Sequence, residues 1–540
     1  MLIQNLTELE ELHLDGVNIS TPGKEWGRAL SSSLPHLRVL SLVQCSLFGP
    51  IDQSLAKLHS LSVIRLDDNN LFASVLGFFS KFSNLTSLSL KDCCLNGTFP
   101  NEIFQVSTLQ TLVLSYNMLL EGSFPESSQN NSLQSLLFAN TNFTGSLSTS
   151  IDNNFTEPIP SFNMSKNLTQ INLPSNGLTG SISSGLLNLE EVDLGINFLK
   201  GNIPSTFFAL PSIKSIQLRF NQFSGQVVEF PNAAFSLMES IDLRSNDLNG
   251  IQEPYSLGFL SILDLHFNQL RGKIPILPSC AVYIDLSSNY FTSSIPADIG
   301  KYLSITMHFS LSENNLTGVV PKSICNAMDL QFIDLSNNGL TGRTPACILA
   351  MSQISEVNLR SNNLSGKIPD AFPVNCHLDT LDLNGNLLTG RVPKSLSHCT
   401  RLGFVDLGSN MLLDAFPVSL KNISTLRILV LRSNKFYGNI TCKDNIAAWP
   451  MIQIFDVAFN DFSGEIPGKC LTKELPQWDN SRITIKTDIP STESFLVNEG
   501  LCGPPLTSNC SDGVPRKSPE TPKDSHSNSG LEIEWNVISF

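Results

Sequence analysis

The chain has 540 residues, with 34 lysines and arginines against 48 aspartates and glutamates, so its formal net charge is −14 at pH 7. A single hydrophobic core stops growing at roughly 250 to 300 residues, so this length requires several domains or an elongated repeat architecture. The acidic balance argues against nucleic acid and against anionic membrane surfaces as partners, because both attract clustered lysine and arginine.

The start of the chain lacks the features of a secretion signal. MLIQNLTELEEL has no basic segment followed by an apolar run and a small-residue cleavage site. No stretch of 18 apolar residues occurs, so no membrane-spanning segment is predicted. N-x-S/T acceptors are nevertheless frequent, and even if half arise by chance they favour the secretory pathway. Glycosylation is predicted at Asn84, Asn96, Asn142, Asn315, Asn363, Asn422 and Asn439.

A repeat of about 24 residues runs through most of the chain. Asn338, Asn362, Asn386, Asn410 and Asn434 are spaced 24 residues apart, with apolar residues eight, five and three positions before each of them. Alternation at the last two of these apolar positions predicts a short strand. The asparagine is predicted to turn inward and to bond the backbone of neighbouring repeats, because a buried amide needs partners. We call this place the ladder position.

The pattern is a leucine-rich repeat and predicts an α/β-type solenoid. The expected fold is a curved right-handed superhelix, with a parallel β-sheet on the concave face and short 3-10 or irregular segments on the convex face. Nineteen ladder positions occur between Val17 and Asn460, and fifteen of them are asparagine, which far exceeds chance. About 19 repeats are therefore predicted over residues 1–467.

Two places interrupt the repeat. The step from Thr141 to Asn176 is 35 residues and contains an irregular insertion near 146–166, interpreted as the remnant of a lost repeat or as a bulging loop. Residues 468–492 resemble a truncated non-repeat island, and 493–512 are predicted to form a C-terminal cap. In that cap a disulfide is predicted between Cys502 and Cys510, with two free thiols as the alternative. Residues 513–540 have little apolar content and are predicted to be a disordered, juxtamembrane-like tail.

The residues four before the ladder position are predicted to face solvent on the concave side. Many are aspartate, and we interpret them as solvated acids of the ordinary repeat; calcium binding is the weaker alternative, and no metal site is predicted. They are Asp193, Asp242, Asp264, Asp285, Asp334, Asp382, Asp406 and Asp456.

The residues two before the ladder position suggest a ligand-binding row. Arg219, Arg244 and His266 occupy three successive repeats, with Phe220 and Phe267 beside the first and third; Arg360 and Arg432 follow further along. Guanidinium groups with aromatic neighbours could hold a ligand carboxylate or an acidic protein loop. The alternative is that the arginines only neutralise adjacent aspartates.

Catalysis is not predicted. The sequence has no G-x-G-x-x-G loop, no kinase H-R-D or D-F-G element, no G-x-S-x-G elbow and no H-E-x-x-H motif, and no cofactor is expected. The pairing of the remaining cysteines stays open, since neighbouring ones could be bridged or merely stacked. These are Cys325, Cys347, Cys376, Cys399, Cys442 and Cys470.

The repeat consensus LxxLxLxxNxLxGxIP resembles the plant-specific class of extracellular leucine-rich repeats. More narrowly, LDGVNIS, LVLRSNKFYGNITC and NEGLCGPPL resemble plant receptor-like proteins of the Verticillium-wilt-resistance type. Against that family's pattern the chain is expected to be truncated at both ends, because a signal peptide, an N-terminal cap and a membrane helix are missing.

The resemblance implies a glycosylated ectodomain on the extracellular face of the plasma membrane. Such a receptor binds a peptide, protein or glycan from a microbe and signals in plant defence through a co-receptor kinase. One alternative is a soluble apoplastic inhibitor of a microbial cell-wall-degrading enzyme, similar to polygalacturonase-inhibiting proteins. Another is a nonfunctional truncated product.

Overall fold

The computed structural model describes residues 6–75, 77–124, 132–146, 167–182, 188–227, 237–252, 260–440, 449, 451–466, 492–508 and 510. Most of the predicted insertion near 146–166, nearly all of the island-like segment 468–492 and the whole of the tail 513–540 lie outside these residues. Cys442, Cys470 and the side chain of Asn422 also lie outside them.

The concave face is one parallel sheet of nineteen strands. Each strand has three residues and pairs with the strands of the preceding and following repeats, so the chain forms the solenoid that the repeat predicts. The strands are Glu11–His13, Val39–Ser41, Val63–Arg65, Ser87–Ser89, Thr111–Val113, Ser135–Leu137, Gln170–Asn172, Glu191–Asp193, Ser215–Gln217, Ser240–Asp242, Ile262–Asp264, Tyr283–Asp285, His308–Ser310, Phe332–Asp334, Glu356–Asn358, Thr380–Asp382, Phe404–Asp406, Ile428–Val430 and Ile454–Asp456.

The sheet is in register because the same place in every repeat is apolar. Leu381 of Thr380–Asp382 lies opposite Val405 of the next strand, and both side chains are fully buried. Side chains alternate between the two faces of a strand, so the residues before and after Leu381 lie on the concave surface. Each repeat thus buries its apolar residues against its neighbours.

The ladder asparagines tie neighbouring repeats together. Asn386 donates from Nδ2 to the carbonyls of Leu359 (2.9 Å) and Leu383 (3.2 Å), and its Oδ1 accepts from the Leu364 amide at 3.0 Å. The same bonds recur at Asn338, Asn362, Asn410 and Asn434. Asn362, Asn386 and Asn410 are buried, whereas Asn338 and Asn434 are partly exposed.

A second, lateral series of parallel strands follows the ladder position, and the sequence analysis missed it. It uses the L-x-G part of the consensus, whose glycine adopts a left-handed conformation, as Gly390 does at φ 84°. The first group is Asn96–Thr98, Leu119–Gly122, Asn142–Ser146, Gly177–Gly180, Phe198–Asn202, Gln222–Val227 and Asp247–Ile251. Then come Arg271–Gly272 with Tyr290–Phe291; Thr317–Val319, Gly339–Gly342, Asn363–Lys367, Leu387–Gly390 and Met411–Leu412; and Tyr437–Asn439, Asp461–Glu465 and Gly500–Cys502.

Short helices lie in the returning half of the repeats, as the fold class predicts. The α-helices among the described residues are Gly23–Ser33, Ser205–Phe208 and Ala346–Ala350. The 3-10 helices are Gln53–Lys57, Gly77–Lys81, Asn101–Gln105, Ile299–Lys301, Lys322–Asn326, Lys394–His398, Val418–Asn422 and Thr492–Phe495.

Three disulfides join the described cysteines. Cys325 pairs with Cys347, Cys376 with Cys399, and Cys502 with Cys510. The first two bridges connect the returning halves of adjacent repeats. Cys45 and Cys93 are buried and unbridged at ladder positions, where their thiols donate to the carbonyls of Leu14 and Leu66.

The concave sheet continues across both interruptions of the repeat. Ser135–Leu137 pairs directly with Gln170–Asn172, although the sequence between them is longer than one repeat. Asn498, which the sequence analysis assigned to the cap, makes ladder bonds to the carbonyls of Val457 (3.0 Å) and Phe495 (3.1 Å). The segment around Asn498 therefore forms one further coil, stacked on the coil of Asn460.

Candidate ligand-binding face

The row of basic residues lies on the concave face over successive repeats. Arg219, Arg244 and His266 each follow a concave strand by two residues, and their side chains are 23%, 32% and 18% exposed. Phe220 and Phe267 come directly after the first and third of them. The structure therefore brings together five of the seven predicted binding residues.

Arg360 and Arg432 are not part of this group. Counting repeats at a strand spacing of about 4.8 Å, Arg360 lies roughly 19 Å and Arg432 roughly 34 Å beyond His266. Arg432 forms its own arrangement, with an ion pair of 2.9 Å to Asp456 and its guanidinium 5.5 Å from the ring centroid of Phe459.

The aspartates four residues before the ladder position were predicted to be solvated, but five of the eight are buried. Asp242, Asp264, Asp285, Asp382 and Asp456 are buried. Their carboxylates also have structural partners: Asp285 accepts from the Ser287 amide at 2.9 Å and Asp382 from the Asn384 amide at 2.9 Å. They therefore fix the loop that follows each strand.

Carboxylates and basic groups alternate along the row. Arg219 lies 3.8 Å from Asp193 and 3.9 Å from Asp242. Arg244 lies 3.6 Å from Asp242 and 3.2 Å from Asp264. The arginines do neutralise their neighbours, but most of these distances are too long for strong hydrogen bonds, so guanidinium donors remain for a ligand.

His266 closes the row. Its Nδ1 lies 2.6 Å from Asp264 and 3.7 Å from Asp285. Burial opposes protonation of this imidazole, yet the hydrogen bond to Asp264 and the charges of Asp264 and Asp285 raise the pKa of His266. Burial, together with the charge of Asp264, raises the pKa of Asp242 to about 6. Protonation of His266 and Asp242 therefore depends on the ion pairs that these two residues make with their neighbours.

Asp264, His266 and Asp285 are the one described group of three side chains whose donor atoms all lie within 4.8 Å of one another. Such atoms could hold a metal ion. However, Arg244 already lies 3.2 Å from Asp264 and supplies the positive charge there. The group is therefore the centre of an ion-pair network.

Large apolar side chains border the row. Ile196, Phe220 and Phe267 are 46%, 49% and 56% exposed and hold left-handed backbone conformations, with φ of 54°, 51° and 52°. This conformation is unfavourable for bulky or β-branched residues, and strain of that kind clusters at functional sites. Arg244 lies 5.7 Å from the ring centroid of Phe220, so apolar and cationic surfaces adjoin.

The sequence analysis missed an aromatic stack next to the row. Tyr283, His308 and Phe332 stand six residues before three successive ladder positions, and their rings stack at centroid distances of 4.2 and 4.1 Å. The residues six before the ladder position also face the concave side, and a count of that position would have found them. His308 Nε2 is buried without a hydrogen-bond partner among the described residues, and burial lowers the pKa of His308.

The predicted glycosylation acceptors lie on the surface wherever the structure describes them. Asn84, Asn142, Asn315, Asn363 and Asn439 are exposed, and Asn96 is partly exposed. None of them belongs to the row around Arg244.

Comparisons with known proteins agree with the repeat. Family models described as "Leucine rich repeat" match residues 282–340, and 84–106, 353–375 and 377–399. Receptor-like protein 6 of Arabidopsis thaliana is 36% identical over 126 residues, covering 23% of this chain and 12% of the relative. Receptor like protein 24 of Arabidopsis thaliana is 33% identical over 370 residues, covering 56% of this chain and 40% of the relative.

A solved structure has the same architecture. "Plant peptide hormone receptor RGFR1 in complex with RGF2" matches with a TM-score of 0.73 and 27% identity, over 86% of this chain and 73% of that one. Within the described residues, no helix is long and apolar enough to cross a bilayer.

The matches do not separate the Verticillium-wilt-resistance type from other receptor-like proteins, so that narrower resemblance stays a prediction. The matched part of the chain spans 12% and 40% of the length of these two relatives. The repeat and the solenoid show that the chain is a leucine-rich-repeat protein, and in sequence it is similar to plant receptor-like proteins.

Proposed function

We propose that this chain is the ligand-recognition part of a plant cell-surface receptor-like protein. It binds a peptide or protein segment on the concave face around Arg219, Arg244 and His266, outside the plasma membrane. The bound segment comes from a microbe, and a partner receptor kinase passes the event on as a defence signal. No catalysis by the chain is involved.

The exposed apolar border beside Arg244 carries this proposal. Most repeats place glycine or a polar residue at this left-handed position, as Ser245 and Ser288 do in neighbouring repeats. Ile196, Phe220 and Phe267 instead expose apolar surface at a cost in backbone energy. Exposed aromatic residues next to arginine are typical of the energetic centres of interfaces.

A peptide would fit both the apolar border and the row of basic residues. Its apolar side chains would pack on Phe220 and Phe267, while its carbonyl or carboxylate oxygens would accept from the free donors of Arg219 and Arg244. The resemblance to a solved peptide hormone receptor at 27% identity supports a ligand of this kind.

The test compares matched variants of the full chain. Peptide fractions secreted by a plant-infecting fungus are measured for binding to immobilised protein, and the active fraction is then titrated. We expect Phe220→Ala with Phe267→Ala to weaken binding roughly tenfold or more. Tyr116→Ala with Phe459→Ala removes two exposed aromatic residues from the same repeat position elsewhere, so binding should stay unchanged.

Arg219→Ala with Arg244→Ala tests the polar part of the site. If this pair and the phenylalanine pair both leave binding intact, the row is not the ligand site. Signalling is tested separately, by expressing the chain in leaf cells and measuring phosphorylation of a co-precipitated kinase after the active fraction is added. Inhibition of a fungal pectin-degrading enzyme without any such phosphorylation would point to the inhibitor alternative.

A further inference from the structure

The lateral strands fall into four sheets, and a groove lies at the break between Met411–Leu412 and Tyr437–Asn439. In the flanking repeats a glycine four residues after the ladder position adopts a positive φ, as Gly366, Gly390 and Gly438 do at 85°, 84° and 75°. The repeat of Asn410 has Asp414 at this place, and Asp414 does not adopt that conformation. Because a side chain disfavours the left-handed turn, the strand stops at Leu412 and the next lateral strand begins a new sheet at Tyr437.

The groove left by this break has a volume of about 1090 Å³. Met411 and Leu413 contribute exposed apolar surface to it, and Lys367, Arg391, Lys394 and Lys435 contribute positive charge. The groove lies on the side of the solenoid, so it is separate from the concave row around Arg244.

Asp370 and Asp414 also line the groove, so its four cations are only partly neutralised and a net positive charge remains. Asp370 accepts from the Ser395 amide at 2.9 Å, and Asp414 accepts from the Val392 amide at 3.2 Å, so both carboxylates are directed at backbone donors. Arg391 is 3.9 Å from Asp414, which is a weak pair, and the Arg391 side chain is 77% exposed. Lys367, Lys394 and Lys435 form no ion pair within the part of the chain that the structure describes.

The cations stand in register along the solenoid. Arg343, Lys367 and Arg391 occupy the same place in three successive repeats, five residues after the ladder position. A Cβ added at Gly366 would lie 3.2 Å from Arg343 Cγ, and one added at Gly390 would lie 2.9 Å from Lys367 Cγ. The aliphatic stems therefore lie over the glycines of the next repeat. Like charges spaced at about 4.8 Å repel one another, in a chain whose overall charge is negative.

We propose that this lateral groove, defined by Lys367, Arg391, Lys394 and Lys435, binds a linear polyuronate. An extended chain of uronic acids offers one carboxylate per sugar ring at a spacing close to that of the repeats. Successive carboxylates meet Lys367 and Arg391 of the column, with Lys394 and Lys435 beside them, and the carbon-bound hydrogens of the rings pack on Met411 and Leu413. An acidic polypeptide has the charge, but it lacks the regular apolar ring faces that match this surface.

The experiment measures binding of an oligogalacturonate of defined length to the full chain by calorimetry at low salt. We expect saturable binding that weakens as salt is added. Lys367→Gln with Arg391→Gln should weaken it roughly tenfold, while Lys57→Gln with Lys81→Gln, exposed on convex 3-10 helices, should leave it unchanged. Circular dichroism and thermal unfolding verify that both double variants keep the fold.

Two further probes decide the ligand class. The methyl ester of the same oligomer should not bind, because it lacks the carboxylate charge. Poly-glutamate of equal charge should bind at least tenfold more weakly. Equal binding of poly-glutamate, absence of oligogalacturonate binding, or binding insensitive to the groove variant would each overturn the proposal. Arg219→Ala with Arg244→Ala should leave oligogalacturonate binding unchanged, so this site and the concave site are tested independently.

Discussion

Replacing Asn386 by alanine tests whether the asparagine ladder holds adjacent repeats together. The side chain is 5% exposed and makes four hydrogen bonds, three as a donor and one as an acceptor. Leu359, Leu383 and Asn384 carbonyls each keep another donor, since Asn362, Asn410 and Ser361 also reach them. The Leu364 amide loses its acceptor, the Asn386 Oδ1, in this variant.

The expected loss of unfolding free energy follows from the hydrogen bonds that Asn386→Ala removes. A stranded buried N–H costs about 1–3 kcal/mol, and each shared bond that is lost adds a fraction of a kcal/mol, so we expect a loss of about 2–4 kcal/mol. Asn326 lies exposed on a 3-10 helix, and Asn326→Ala should change stability by no more than about 0.5 kcal/mol.

Urea unfolding followed by circular dichroism compares the two variants with the parent chain. Because repeats unfold through nearest-neighbour steps, hydrogen exchange at the Leu364 amide gives the local value. We expect the Leu364 amide to exchange faster in Asn386→Ala and at the parent rate in Asn326→Ala. If the two variants lie within about 0.5 kcal/mol of each other and exchange alike, the ladder does not stabilise the stack as reasoned.

Three other substitutions probe separate features. Ile196→Asn relieves a β-branched residue at φ 54° and should raise stability by about 0.5–1 kcal/mol, measured as the urea midpoint; an unchanged midpoint contradicts the assigned strain. Cys347→Ser opens the bridge to Cys325 and should lower stability by about 3 kcal/mol, a loss that reduction of the parent protein should reproduce in part. Burial raises the pKa of Asp334 from 3.8 to about 6, so its protonated form favours the folded state and that contribution disappears as pH rises through about 6. Asp334→Asn should therefore flatten the fall in melting temperature between about pH 4 and pH 7, and an unchanged slope would contradict the burial argument.

The repeat could be predicted from sequence because one period controls both strand and ladder. Residues equivalent to Leu381 and Asn386 recur at fixed offsets. In a stacked coil, the first must be buried in the strand and the second must bond the backbone of the neighbouring repeat. The lateral strands were harder to foresee, since L-x-G segments lack the alternation that marks a strand. Asn498 was missed because its distance from Asn460 does not fit the period.

The binding face was predicted only in part. Spacing alone placed Arg219, Arg244 and His266 on neighbouring repeats, but it could not show that Asp242 and Asp264 are buried between them. Burial depends on how side chains of adjacent repeats lie over one another, which no single repeat specifies. The stack of Tyr283, His308 and Phe332 was not predicted, because it arises only where three neighbouring repeats carry an aromatic ring at the same concave position.

The direct pairing of Ser135–Leu137 with Gln170–Asn172 has a consequence for how such chains diversify. Residues can be gained or lost on the return path of a coil while the inner wall keeps its pitch. The inner wall and the flank of the solenoid can therefore change under different constraints. The inner wall varies by exchanging side chains at constant spacing, and the flank varies by changing its length and outline.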